Sequence, residues 1–157
     1  MQRRFFAFIL TSVLLASLGS LSSTTWAAPP DPCALLTQAQ VSEVLGAAAG
    51  AGERLATSVC QWSTKAEAGA GSKKVTLTLQ NAQAFAAAKT PVPTGTITKT
   101  PVSGIGDDAV YGTTKGAATV LTVKKGDAVF VVRVFGFPED ETKAKEKTLA
   151  LDVLSKL

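Results

Sequence analysis

The chain has 157 residues, 46% of them hydrophobic and 18% charged, with two Cys, no His and a formal net charge of +4. That length suits one domain, and a chain without His and with only two Cys lacks the usual ligands of a zinc or iron–sulfur site. Arg3 and Arg4 supply two of the sixteen basic residues; without them fourteen face twelve acidic ones. A net +2, scattered and without interleaved aromatics, does not argue for nucleic acid.

Those two arginines open a segment that reads as an export signal. An apolar run from Phe5 to Leu21 follows them, and then a polar stretch ending Thr25-Trp26-Ala27. The run is short and Ser-interrupted for a spanning helix, and the small residues Thr25 and Ala27 fit a cleavage site before Ala28. The expected organisation is a signal peptide at 1–27 and one exported domain at 28–157, periplasmic or secreted, with no stable membrane span after cleavage. Arg3-Arg4-Phe5-Phe6 also matches part of the twin-arginine pattern, so both export routes stay open. Pro29-Pro30-Asp31-Pro32 precedes Cys33 where a lipobox would have to stand.

Two cysteines in an exported chain are most simply one disulfide. A bridge from Cys33 to Cys60 closes a loop of nearly thirty residues, for which chain entropy gives roughly 3–4 kcal/mol. The two are too far apart for a redox-active C-x-x-C pair.

After the bridgehead, Thr37 with Gln40 forms a capping box, and Leu36 with Val41 a hydrophobic staple. Val41, Val44 and Leu45 make the apolar stripe of a short helix that Gly46 ends. Ala47 to Gly52 reads as a flexible loop. In a strand at Val59 to Thr64, period two puts Cys60 and Trp62 on one face. Val75, Leu77 and Leu79 alternate with polar residues as a half-buried strand. Asn81 caps a second helix through Lys89, whose only large apolar residue is Phe85, and Pro91 ends it. Thr90 to Ser103 carries three prolines and five threonines and reads as linker or edge strand. A turn at Gly104 to Asp108 leads into a strand at Ala109 to Tyr111. Thr119 to Lys124 and Ala128 to Phe135 then form a hairpin around Lys125-Gly126-Asp127. The last strand is apolar on both faces, which places it in mid-sheet. From Pro138 a final helix begins with Glu139, Asp140 and Glu141 at its positive end, and its second half carries an apolar stripe of Leu149, Ala150, Val153, Leu154 and Leu157. The expected fold is α+β: an antiparallel sheet of about five to six strands, helices packed on one face, and one disulfide.

Catalytic patterns are thin. Gly104-Ile105-Gly106-Asp107-Asp108-Ala109 has the letters of a dinucleotide turn, but a strand follows it where a helix N-terminus is needed, and two Asp would repel phosphate. Adjacent Asp107 and Asp108 point to opposite sides of an extended chain and do not converge on one bond. There is no His to serve as a base, and no G-x-S-x-G or S-x-x-K pattern. No catalytic, cofactor-binding or metal-binding residue is assigned. Asp107, Asp108 and Tyr111 remain as a candidate interaction surface.

Cys33-Ala34-Leu35-Leu36-Thr37, then Cys60-Gln61-Trp62, Gly104 to Ala109 and the Phe130 strand together resemble a group of small exported bacterial proteins of unknown function. Many of that group are actinobacterial lipoproteins. The resemblance implies a Cys33–Cys60 disulfide and an extracytoplasmic α+β domain, and no activity; this chain departs from the lipoproteins in lacking a lipobox cysteine. The leading expectation is a non-enzymatic exported domain that binds a protein or cell-envelope component, without cofactor. The alternatives are a small hydrolase using Asp107 or Asp108, and an inhibitor or lipid-carrying domain.

Overall fold

The computed structural model describes residues 30–66, 71–93 and 95–157; the signal segment read at 1–27 lies outside them. Among the described residues no helix is long and apolar enough to cross a membrane. The N-terminal half begins with a 3-10 turn at Pro32–Ala34, helix α1 (Gln38–Leu45), and strands β1 (Glu53–Ala56), β2 (Val59–Ser63) and β3 (Lys74–Gln80). Helix α2 (Ala82–Lys89) leads to a second run of strands, β4 (Ile97–Val102), β5 (Asp108–Thr114), β6 (Ala118–Lys125) and β7 (Ala128–Phe135), and α3 (Glu139–Leu154) closes the chain. All seven strands form one antiparallel sheet in the order β1-β2-β3-β7-β6-β5-β4. The doubly apolar β7 lies at its centre.

The local signals for α1 are realised in full. The Thr37 hydroxyl accepts from the Gln40 amide at 3.2 Å and the Gln40 side chain accepts from the Thr37 amide at 2.9 Å, while Gly46 takes the left-handed conformation at φ 66°. Lys145 and Lys73 then donate to the Val44 and Leu45 carbonyls at 2.6 and 3.2 Å, placing cations at the negative end of the helix. Both ammonium groups also lie over the Phe137 ring.

The main core lies between the sheet and the pair α1 and α3. Cys60, Trp62, Val75, Leu77, Leu121, Val123, Phe130 and Val132 face Val41, Leu45, Leu149 and Val153 there, all essentially inaccessible to solvent. The disulfide joins Cys33 to Cys60 with a Cα separation of 5.2 Å, tying the entry of α1 to β2. Gly52 packs directly on it. A Cβ at that position would stand 2.8 Å from Trp62 Nε1 and 2.9 Å from Cys60 Sγ.

Several expectations are corrected. The sheet has seven strands rather than five to six, because β1 pairs with β2 through Glu53↔Gln61 and Arg54↔Cys60. This edge strand is exposed on both faces, so it leaves no alternating signature. The segment Ala47 to Gly52 is held rather than loose: Ala49 bridges to Thr64, its carbonyl accepts from Gln38 Nε2 at 2.8 Å, and its amide donates to Ser42 Oγ at 3.0 Å. The helices do not share one face. Phe85 of α2 packs with Val110 and Val129, on the side of the sheet opposite α1 and α3: the chain must cross a face to travel from β3 to β4, and the other face is occupied by α1 and α3. Helix α3 also docks along more than its second half, burying Thr142 and Glu146, while Leu157 is exposed.

Two outcomes test the clamp. Replacing Cys33 and Cys60 by Ala lowers stability by about 3 kcal/mol, read from the shift of the urea midpoint. Gly52→Ala, whose new methyl meets a buried indole and the bridge sulfur, costs about 1–3 kcal/mol by the same measurement, and the loss shrinks when Trp62 is replaced by Phe.

Candidate functional site

The residues singled out in the sequence are not brought together. The Asp107 carboxylate accepts from the Gly126 amide at 2.7 Å and pairs with Lys125 at 3.0 Å. Those bonds, the Gly126 amide first, hold its pKa below the ordinary carboxylate range. It thereby fastens the turn before β5 to the β6–β7 turn. Asp108 points to the other side and pairs with Lys89 at 2.6 Å, anchoring the end of α2. Tyr111 is buried under α3, its hydroxyl donating to the Lys143 carbonyl at 2.6 Å. Burial and the charge of Glu146 push its pKa up to about 12. Among the described residues, no three of His, Cys, Asp and Glu gather in a way that could hold a metal ion.

Two other places carry polar groups in unusual settings. The first is a wedge between β6 and β7. Their ladder runs from Lys125↔Ala128 to Leu121↔Val132, although β6 begins at Ala118 and β7 continues to Phe135. Beyond Leu121 the strands part, leaving a cavity of about 270 Å³ lined by Thr119, Val134 and Thr142 among others. Glu146 is bonded to two of these residues: one carboxylate oxygen accepts from Thr119 Oγ1 at 3.0 Å and the other from the Val134 amide at 3.2 Å. The side chain is fully buried and has no ion pair among the described residues. Burial pushes its pKa up to about 7, against the two hydrogen bonds, which lower it. Sequence reasoning missed it as one more charge in the Lys/Glu run. The signal was its position, three residues before Leu149 and so on the same helix face.

The second place is the half-covered face of the sheet beside α2. A groove of about 550 Å³ opens there. Its floor carries Val120 and Val131, its walls Ala84, Ala88 and Ile97, and its polar groups include Lys99 and Arg133. Small residues create the space. Gly112 lies opposite Lys99 on β4 and Val120 on β6, and the Lys99 ammonium lies 3.3 Å from where a Gly112 Cβ would stand. The alternation of Val129, Val131 and Arg133 marked this face in the sequence. The groove needs α2 above it, and one Phe does not say which face a helix covers. Thr114 and Ala118 line both the groove and the wedge, so the two openings meet where β6 and β7 separate.

Comparison with protein-family models, curated proteins and solved structures finds no match to this chain.

The buried carboxylate sets a pH dependence. Its folded-state pKa lies above the unfolded value, so the folded state holds the proton more tightly between those two values. The stability present near pH 4.5 is lost as pH rises through about 7. The full effect is about 3 kcal/mol. Glu146→Gln, which keeps an acceptor for Val134 and can donate to Thr119, removes most of this slope and raises stability at pH 8. Urea melts of both proteins between pH 5 and pH 8 check it; parallel profiles would contradict the assignment.

Proposed function

We propose that this chain is an exported, non-catalytic binding domain whose partner or ligand sits in the groove beside α2. The observation that carries the reading is the groove itself. Most of the sheet's other face is filled by α1 and α3, whereas here an apolar floor stays open, with two cations at its sides. Export is supported by the signal pattern at 1–27 and by the pairing of both cysteines, which suits an oxidising compartment. The periplasm or the medium is the proposed location, in keeping with the resemblance to small exported bacterial proteins.

The hydrolase alternative draws less support. Asp107 and Asp108 are each held by a cation, on separate clamps, and neither lines the groove. Of the remaining alternatives, a lipid-carrying role is favoured by a specific observation, the open apolar lining.

The test is capture. The mature protein, immobilised, is incubated with envelope extract beside a Lys99→Glu, Arg133→Glu variant of equal thermal stability. A component retained by the first and lost by the second is the expected result. Retention of nothing by the wild type, or equal retention by both, counts against the groove as the binding face.

A further inference from the structure

Resting on that reading, we infer that the groove takes a single-chain anionic amphiphile, its acyl chain lying along Val120 and Val131 and its head group held by Lys99 and Arg133.

The register lays out the site. Lys99 of β4, Gly112 of β5 and Val120 of β6 stand in one cross-strand row. Arg133 follows in that row, one residue beyond the last registered β6–β7 pair, Leu121↔Val132. Adjacent paired strands lie about 4.8 Å apart, so Lys99 and Val120 are rooted about 10 Å apart across Gly112, and Arg133 stands one strand further on, where β6 and β7 part. Beside this row runs another, Val110↔Thr122↔Val131, partly roofed by α2 through the Phe85, Val110 and Val129 contact. An apolar trough therefore lies between α2 and a row flanked by positive charge.

Charge complementarity chooses the occupant. No Asp or Glu lines the groove, and among the described residues neither Lys99 nor Arg133 has an ion-pair partner. Lys89, close by on α2, is already neutralised by Asp108. Lys99 is half-buried, folded down over Gly112 rather than extended into water. A peptide pairing with the free edge of β4 would extend the sheet sideways and would not lie on this floor, where side chains rather than backbone groups face the groove. A methylene chain asks for no hydrogen bonds, and the volume falls within the range of small-molecule sites, about 300–1,000 Å³. A carboxylate and a monoester phosphate share this chemistry.

The experiment titrates the oxidised mature protein, labelled at Ile and Val methyls, with dodecanoate and with dodecyl phosphate below their micellar concentrations. Dodecan-1-ol and dodecyltrimethylammonium serve as neutral and cationic controls. Saturable shifts of Ile97, Val120 and Val131 with one or both anions are expected, and the stronger of the two identifies the head group. Lys99→Met and Arg133→Met should each weaken binding about tenfold, and Ala118→Leu, which fills the groove without touching charge, should weaken it too. Equal binding of the alcohol or the cation, or no shift at these three methyls, overturns the inference. If no anion binds and the charge-reversed variant still loses a captured envelope component, the amphiphile is wrong and the binding face stands. If neither effect is seen, both fail.

Discussion

The architecture depends on the pairing of β3 with β7. Seven residue pairs, Lys74↔Phe135 to Gln80↔Val129, join a three-strand meander to a four-strand one. Apart, the two meanders would have four edges; the seam removes those of β3 and β7 and leaves β1 and β4. It requires β7 to be apolar on both sides, since Phe130, Val132 and Val134 meet α1 and α3 while Val129 and Val131 face the other way. It also fixes the one long crossover. With β3 in mid-sheet and β4 at the far edge, the chain has to cross a face, and α2 is the crossing.

That crossing divides the two faces into different kinds of surface. Under α1 and α3 the sheet is largely covered, with a disulfide, a tryptophan and a glycine at one end and a buried carboxylate beside the wedge at the other. Under α2 an eight-residue helix covers only the middle, and its single large side chain touches two valines. Sealing one face supplies the stability that lets the other stay partly open. The Asp108–Lys89 pair keeps the strap in place without filling the space beside it; such an exposed pair contributes little energy on its own, and its value here is positional.

Much of the sealed half was legible in the residues. Thr37, Gln40 and Gly46 mark a helix by local hydrogen bonding alone, and the parity of Cys60 with Trp62 follows from the pleat. The doubly apolar β7 announced a central strand for the same reason. What escaped has a common physical cause: the information lay in tertiary context. β1 is an exposed edge and carries no burial pattern. The fixed loop at Ala47 to Gly52 relies on Ser42 and Gln38, which are chosen by geometry rather than by periodicity. Glu146 reads as solvated charge until Thr119 and Val134 are set beside it. Lys99 sat in a Thr/Pro-rich segment, and its meaning comes from a glycine on the neighbouring strand.

The seam between β3 and β7 also orders events as the chain is made. Its paired residues lie from 49 (Gln80↔Val129) to 61 (Lys74↔Phe135) positions apart in sequence, and loop closure over such a span delays pairing. The core against α1 needs Leu149 and Val153 from α3, so until that helix is made Trp62 and Leu77 have no roof from it. The sheet's first strands therefore wait for the last helix before their core side is covered.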